Sequence, residues 1–131
     1  MGGEVKTSKI QELFYLMTER YPKRFLHSGY GKKSIFRKYF GSGSSEGQKG
    51  IYVLYSKGKP YYVGRAGSGV YNRVMNHLRD RHKDKWDHFQ MFSIKNKYKG
   101  VVEALLIEIA SPPGNRRKER RYIDAIKKIS A

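Results

Sequence analysis

The fold is decided by residues 50–64, which read Gly-Ile-Tyr-Val-Leu-Tyr-Ser-Lys-Gly-Lys-Pro-Tyr-Tyr-Val-Gly. β-Branched and aromatic residues fill both ends of this stretch, as they do in strands. The segment between them, residues 56–60, has the Gly and Pro content of a turn. Because so short a connection leaves no room for a crossover, the two strands must run antiparallel. The sequence therefore predicts a β-hairpin with Tyr52 on its first strand and Tyr62 on its second.

The residues after the hairpin predict one more strand and three helices. A glycine-rich connection leads into a helix over about 69–82, and a third strand is expected near 87–94. Two further helices are expected over about 99–110 and about 116–129, on either side of a Pro-Pro-Gly stop. One thin sheet covered by helices lets a short chain bury a core. We therefore expect an α/β (α+β) fold in which a small three-stranded antiparallel sheet is flanked by helices.

The N-terminal part of the chain predicts an extra helical segment. Apolar residues at helical spacing favour a helix over about 8–20, which ends at a Tyr-Pro pair. A short second helix is expected over about 34–40, with Ile35 and Phe36 facing inward.

The domain organisation follows from the length and from a linker. The 131 residues fit one domain more comfortably than two. Residues 41–47 have the composition of a flexible linker, and the pattern becomes strand-like soon after it. We expect residues 1–49 to be an N-terminal helical extension with this Gly/Ser-rich linker, and residues 50–131 to be the functional domain.

Charge is the strongest compositional signal. The chain has 28 Lys and Arg against 11 Asp and Glu, a formal net charge of +17 that is spread along its length. Such an excess repels itself within a compact fold, which favours a polyanionic partner, nucleic acid first. The chain has no apolar run near the ~20 residues that cross a bilayer, and no apolar signal segment at its N-terminus. We expect an intracellular protein, in the cytoplasm or nucleoid, with no membrane partner.

Three polar residues on two predicted helices are candidates for chemistry. Arg73 and His77 lie one helical turn apart, so they share a face that is displayed rather than buried. A guanidinium beside an imidazole suits a site that holds phosphate and moves a proton, although ordinary helix polarity explains the pair as well. Glu103 lies in a helix that is apolar nearly all round, where a carboxylate is costly unless it is paired or binds a cation. We expect Arg73 or a divalent cation to compensate it, with a structural ion pair as the alternative, and a single acidic ligand suits Mg²⁺.

Other candidates lie on the hairpin and around the predicted helices. Tyr52 and Tyr62 place two hydroxyls on neighbouring strands, within reach of a phosphate or its attacking water, and core packing is the alternative for each. Asn115 follows Pro-Pro-Gly, where it is expected to cap the final helix. Cations in a glycine-rich loop or in the first turn of a helix make best sense beside a phosphate. The basic residues expected to contact nucleic acid are Arg65, Arg79, Lys83, Arg116, Arg117 and Lys118.

Several other classes of site are disfavoured. Without cysteine, thiolate metal clusters and cysteine nucleophiles are excluded. The four histidines show no compact zinc-ligand spacing in the sequence, and no Walker or dinucleotide-binding fingerprint is present.

Taken in order, these residues resemble the GIY-YIG nuclease superfamily. Gly50-Ile51-Tyr52, followed after nine residues by Tyr62-Val63-Gly64, resembles the paired signature of that family, with Val in place of the commoner Ile. The resemblance covers about residues 50–118 and continues in the family's order with Arg73, His77, Glu103 and Asn115.

The resemblance implies a DNA endonuclease that hydrolyses phosphodiester bonds with one Mg²⁺ or Mn²⁺ per active site. It implies that Glu103 binds the metal, that Tyr52 activates or orients the attacking water, and that Arg73 neutralises the transition state. His77 and Tyr62 would hold the phosphate or relay a proton, and the asparagine would position the glutamate or the backbone near it. The implied catalytic set is Tyr52, Tyr62, Arg73, His77, Glu103 and Asn115.

Two alternatives stay beside the endonuclease. One is a catalytically weak nucleic-acid-binding module on the same scaffold, and the other is a structural protein that binds RNA by charge. DNA is expected ahead of RNA as the partner. Restriction, repair and mobile-element homing are all open as settings, and restriction would require a homodimer on DNA so that one active site addresses each strand.

Overall fold

The computed structural model describes residues 8–44, 50–67 and 69–115, and these ranges contain four α-helices, one 3₁₀ helix and four strands. The last predicted helix, about 116–129, lies outside the described residues. In chain order the elements are α1 (Lys9–Thr18), β1 (Tyr21–Pro22), a 3₁₀ helix (Lys23–Leu26), α2 (Gly31–Phe40), β2 (Gly50–Ser56), β3 (Lys59–Ala66), α3 (Val70–Asn76), β4 (His88–Ser93) and α4 (Asn96–Ala110).

The sheet has four antiparallel strands in the order β1-β4-β2-β3, so the prediction of a three-stranded sheet was wrong. The additional strand is β1, in which Tyr21 pairs with Phe89 and Pro22 with His88. Two residues are too few to produce a period-two pattern that sequence reading can detect. Its proline is compatible with pairing because β1 lies at the edge of the sheet. The α+β class holds.

The central hairpin forms as the sequence predicts. Strands β2 and β3 pair with Tyr52 opposite Gly64 and Val53 opposite Val63, and a bulge follows at Leu54/Tyr55. This register places Tyr52 and the smallest residue side by side on one face of the sheet. Because successive side chains of β2 point to opposite faces of the sheet, β2 contributes apolar residues to the core on both faces.

Each face of the sheet carries its own apolar cluster. On one face, Ile51, Val53 and Val63 pack against Val102 and other residues of α4. On the other face, the side chains of Tyr52, Leu54, Phe89 and Met91 join a larger cluster with residues of the N-terminal helices and α3.

Helix α4 is less buried than its composition predicts. Leu105 and Ile109 are exposed, the latter by 80%. Only Glu103 and Ala104 of this helix are buried, because α4 covers the sheet with one face and turns the other outward. The carboxylate of Glu103 therefore lies at the interface between the helix and the sheet.

The N-terminal segment packs directly against the sheet. Phe36 is fully buried, and its ring lies 5.2 Å from that of Phe89 on β4, edge to face. Ile35, which was expected to face inward, is 38% exposed instead. The buried residues of α2 are Phe36, Tyr39 and Phe40, a spacing that turns Ile35 away from the core. The division of the chain into an N-terminal extension, residues 1–49, and a functional domain, residues 50–131, stays a prediction.

Helix α3 ends six residues before its predicted end near residue 82. It stops at Asn76, and the chain continues through tight turns in which the His77 N–H donates to the Val74 carbonyl and the Leu78 N–H to the Met75 carbonyl. The indole of Trp86 donates to the His77 carbonyl at 3.1 Å and holds this turn against the core. Within the described residues, no helix combines the length and apolarity needed to cross a membrane.

The contact between Phe36 and the sheet gives a stability test. Phe36→Ala should destabilise the protein by about 3–5 kcal/mol, because it leaves a cavity beside Phe89. Ile35→Ala is the matched control and should change stability little, because that side chain is partly in water. Urea unfolding of both variants measures the difference, and equal effects would contradict the packing described.

Candidate active site

The Tyr52 hydroxyl is enclosed in the protein and hydrogen-bonded. Its side chain is fully buried, and the hydroxyl oxygen lies 2.7 Å from His77 Nε2. The Tyr62 ring lies 6.1 Å from the Tyr52 ring, centroid to centroid. A Cβ at position 64 would overlap the Tyr52 phenol, so the glycine across the hairpin makes room for this ring. The two strands thus position both tyrosines beside the turn that follows α3.

Burial raises the pKa of the Tyr52 hydroxyl, and the neighbouring Tyr62 adds to the rise, while the Arg73 guanidinium opposes it. A phenol in this setting keeps its proton at neutral pH. It therefore needs a neighbouring acceptor to take that proton before it can remove one from a water molecule. His77 is that neighbour.

His77 is buried, contrary to the expectation that it is displayed with Arg73. The helix ends before it, and the turn directs its ring into the sheet. Its Nδ1 lies 2.6 Å from the Asp80 carboxylate. Burial lowers the pKa of the His77 imidazole, against the opposing effect of Asp80. His77 is therefore a neutral ring held between a phenol and a carboxylate.

Asp80 and His82 complete this turn, and sequence reasoning missed both. The Asp80 carboxylate also accepts a hydrogen bond from the His82 backbone N–H at 2.9 Å. Partial burial raises the pKa of this carboxyl, but the bonds from His82 and His77 outweigh it, so the net shift is downward. The buried His82 ring contacts the Tyr61 hydroxyl at 2.8 Å, and burial lowers the pKa of His82 to about 4. The spacing His-x-x-Asp-x-His was the available signal.

A cavity of about 480 Å³ opens beside the hairpin. Tyr62 lines it, whereas the fully buried Tyr52 lies behind. The structure thus brings together three predicted site residues, Tyr62, Arg73 and Glu103, in one solvent-accessible space. The complete lining is Tyr62, Arg65, Ala66, Gly67, Arg73, Lys99 and Glu103.

Arg65, rather than Arg73, forms the ion pair with Glu103. Its Nε lies 3.5 Å from a Glu103 carboxylate oxygen, and the Glu103 side chain is only 6% exposed. The guanidinium passes close to Gly100 on α4, where an added Cβ would lie 2.8 Å from Nη1. Lys99, which sequence reasoning missed, is one turn before Glu103 and donates to the Ala66 carbonyl at 2.7 Å. That i, i+4 spacing was its signal.

Asn115 supports the edge strand of the sheet. Its Oδ1 accepts from the Val63 N–H at 2.9 Å, and its Nδ2 donates to the Val63 carbonyl at 2.8 Å. These bonds satisfy backbone groups on the outer side of β3, beside Tyr62. The predicted cap of the following helix involves residues outside those described. Three of the basic residues predicted to contact nucleic acid also lie outside the described residues: Arg116, Arg117 and Lys118. Two others, Arg79 and Lys83, are exposed in the turn after α3.

Two groups of side chains offer atoms that a cation could bind. The first is the Glu103 carboxylate, which opens on the cavity and suits a hard cation that keeps most of its waters. The second is His77, Asp80 and His82, whose ligand atoms lie within 4.8 Å of one another. In this second group His77 Nδ1 and the Asp80 carboxylate are already joined by hydrogen bonds within the turn. Glu103 is likewise paired with Arg65, but among these residues it is the one whose carboxylate lines the cavity together with Tyr62 and Arg73.

Three solved structures resemble this chain, and all are of the GIY-YIG N-terminal endonuclease domain of UvrC from Thermotoga maritima. The one bound to magnesium, its catalytic divalent cation, is 24% identical, covers 62% of this chain and 96% of its own, and has a TM-score of 0.48. Two Tyr-to-Phe point mutants, each bound to the catalytic divalent cation, are 25% and 24% identical, cover 52% of this chain and 82% of their own, and have TM-scores of 0.46.

These structures are of the family whose motifs the sequence resembles. No protein-family model and no curated protein matches the chain. At TM-scores below 0.5 the likeness assigns no activity and no ligand to this chain.

The close fit of Tyr52 against Gly64 gives a second stability test. Gly64→Ala should destabilise the protein by about 1–3 kcal/mol, because the methyl group forces the Tyr52 phenol away from His77. Gly67→Ala is the control, since a Cβ at that position meets nothing within 4 Å. Thermal or urea unfolding reports the difference. A Gly64→Ala protein as stable as the control would show that the ring has room to move.

Proposed function

We propose that this chain is a metal-dependent DNA endonuclease that hydrolyses phosphodiester bonds at a single-metal site of the GIY-YIG type. The observation that carries the proposal is the cavity in which Glu103, Arg73 and Tyr62 meet. A buried carboxylate beside cationic and phenolic groups matches a phosphate-cleaving site, where charge must be held at the reacting phosphorus. Magnesium or manganese fits the oxygen donor of Glu103.

Glu103 would hold the cation, which would supply Lewis-acid stabilisation of the scissile phosphate. Arg73 lies on the same cavity and neutralises the charge that develops on the phosphate oxygens. Tyr62 orients the attacking water, because its side chain lines the cavity. Tyr52 lies behind Tyr62 and passes a proton to His77, with which its hydroxyl is in contact. Asn115 acts indirectly, by holding β3 beside Tyr62.

The charge of the chain supports DNA as the substrate. A net charge of +17 favours a polyanion, and binding by phosphate contacts should weaken steeply with salt. Arg65 and Lys99 line the cavity itself, while Arg79 and Lys83 are exposed on the turn after α3. DNA bound at the cavity would meet the cations that line it, and the exposed Arg79 and Lys83 are available for further phosphate contacts. If the role is restriction, the proposal includes a homodimer on DNA, because each strand then needs its own active site.

A catalytically weak nucleic-acid-binding module is the second candidate function. The observation that favours it is the ion pair of Glu103 with Arg65, which gives the carboxylate a partner without a cation. The two functions differ in whether Glu103 binds a divalent ion and whether turnover depends on it.

The role of Glu103 is tested by Glu103→Gln, with Glu108→Gln as the matched control. Both changes remove one negative charge from α4, but Glu108 is exposed. We expect Glu103→Gln to lose Mn²⁺ binding in calorimetry and to nick supercoiled plasmid at least about 100-fold more slowly, while the control behaves as the parent. If parent and variant both leave the plasmid intact while a gel shift with DNA persists, the binding module is the right description.

Arg73 is tested by Arg73→Ala, with Arg79→Ala as its control. Because Arg73 lines the cavity, its loss should lower kcat by about 100- to 1,000-fold with a smaller change in KM. The exposed Arg79 should affect KM and its salt dependence and leave kcat nearly unchanged. Single-turnover cleavage of a labelled duplex separates the two constants. Equal losses of kcat in both variants would show that Arg73 contributes only general charge.

A further inference from the structure

The turn after α3 contains the Asp80 carboxylate, which has no role in the chemistry proposed for the cavity. The Tyr52 hydroxyl, the His77 ring and the Asp80 carboxylate form a continuous chain of hydrogen bonds, with distances of 2.7 Å and 2.6 Å. These hydrogen bonds lead from the buried Tyr52 phenol to the Asp80 carboxylate, which is 38% exposed. These bonds join the phenol behind Tyr62 to a carboxylate that is in contact with solvent.

The donors and acceptors in this chain can be assigned from chemistry. An ionised carboxylate only accepts hydrogen bonds, so His77 Nδ1 must donate to Asp80. In the neutral ring, Nε2 then has a lone pair and accepts the Tyr52 O–H. Without Asp80, either nitrogen could carry the proton. The tautomer with the proton on Nε2 cannot receive one from Tyr52.

We infer that Asp80 is a positioning residue of the proposed nuclease, which holds His77 in the tautomer that accepts a proton from Tyr52 and stabilises the imidazolium that results. The inference rests on the proposed function for its catalytic consequence. The tautomer itself depends only on the contacts within the turn, so it can be measured in a protein that cleaves nothing.

The proposed hydrolysis exchanges one bond at phosphorus and moves one proton to His77. The water oxygen forms a bond to phosphorus and the bond from phosphorus to the leaving oxygen breaks. The proton of the water passes by way of Tyr62, whose side chain interacts with the Tyr52 phenol, to Tyr52 as the Tyr52 proton moves to His77 Nε2, so that both phenols end neutral. The leaving oxygen takes a proton from solvent. The imidazolium, bonded to the partly exposed Asp80, then returns its extra proton to solvent.

A second contact keeps the Asp80 carboxylate in place for this task. One of its oxygens accepts from the His82 backbone N–H and the other from His77 Nδ1, so each oxygen has its own donor. This arrangement fixes the carboxylate plane relative to the ring. The charged or titratable groups that face His77 from the elements around it are Tyr52 on β2, Tyr62 on β3, Arg73 on α3, and Asp80, Arg81 and His82 in the turn.

Asp80→Asn tests the inference, with Asp84→Asn as the matched control. The amide keeps an oxygen for the His82 N–H but can donate to His77 Nδ1, which favours the opposite tautomer. Asp84 is an exposed carboxylate in the same segment, so its variant removes the same charge without touching His77. Thermal unfolding of both proteins shows whether the turn is intact.

The first measurement is histidine side-chain ¹⁵N NMR, with the His77 signals assigned through His77→Gln. We expect the parent to show a protonated Nδ1 and an unprotonated Nε2, and Asp80→Asn to show the reverse or a mixture, while Asp84→Asn matches the parent. An unchanged tautomer in Asp80→Asn overturns the inference, whether or not the protein is a nuclease. Zn²⁺ that shifts both His77 and His82 signals in the parent but not in Asp80→Asn also overturns it, because the turn would then be a cation site.

The second measurement is the pH dependence of kcat at saturating Mg²⁺. Asp80→Asn should lower the maximum kcat by about 10- to 100-fold with KM unchanged. Since Asp80 raises the pKa of His77 against the effect of burial, its loss should also move the acidic limb of the profile to lower pH. A uniform loss of rate with no shift of the limb points to a purely structural role and overturns the inference. If the parent itself is inactive but the tautomer changes as expected, the proposed function fails and the role of Asp80 in positioning His77 stands.

Discussion

A single buried phenol constrains the geometry of the whole site. The Tyr52 hydroxyl has no exposure to water, so it must find its hydrogen bonds within the protein, and it finds one on His77. That bond fixes where the turn after α3 lies relative to β2. The hairpin register fixes the other side, because the ring fits only against a residue without a Cβ, which is Gly64. Strand pairing and side-chain chemistry therefore depend on each other here.

The second constraint is the sign of charge around the cavity. Glu103 is a buried carboxylate in a strongly basic chain, and the cations that line its cavity are Arg65, Arg73 and Lys99. Arg65 compensates the carboxylate at 3.5 Å, while Lys99 is held by the Ala66 carbonyl. The cavity as a whole is electropositive before any cation binds. Such a cavity attracts an anion such as phosphate, and Glu103 is the carboxylate among its lining residues.

Local patterns predicted the parts of this site that are local. The hairpin, the positions of Tyr52 and Tyr62 on its two strands, and the burial of Glu103 all followed from spacing and composition. The contacts that the sequence did not predict are those between segments that are distant along the chain. A two-residue strand such as Tyr21–Pro22 has no periodicity, and its pairing with β4 is set by tertiary packing. The choice of Arg65 over Arg73 as partner of Glu103 depends on how closely α4 approaches β3, which no spacing within either element encodes.

The early end of α3 was the most consequential of these differences. A regular helix to residue 82 would have kept His77 on the displayed face with Arg73, remote from Tyr52. Instead the helix ends at Asn76, and the Trp86 indole N–H donates a hydrogen bond to the His77 carbonyl. This turn is what directs the ring inward and brings Asp80 and His82 to it. Helical periodicity cannot anticipate such a break, because the driving contacts come from side chains later in the chain.

The described part of the N-terminal segment supplies no polar group to the cavity, but it covers the sheet face that carries Tyr52. Strand β2 carries Tyr52 on the face that packs against the N-terminal helices, in the same apolar cluster as Leu16 and Phe36. The Gln90 amide on β4 donates to the Met17 carbonyl of α1 at 2.8 Å, which ties that helix to the neighbouring strand. If this cover were absent, water would reach the sheet face from which the Tyr52 ring projects. A hydrated phenol could bond to water instead of His77, and the two rings would lose their fixed relation. The dryness of that face therefore maintains the bond between Tyr52 and His77, and the N-terminal helices help to maintain the dryness.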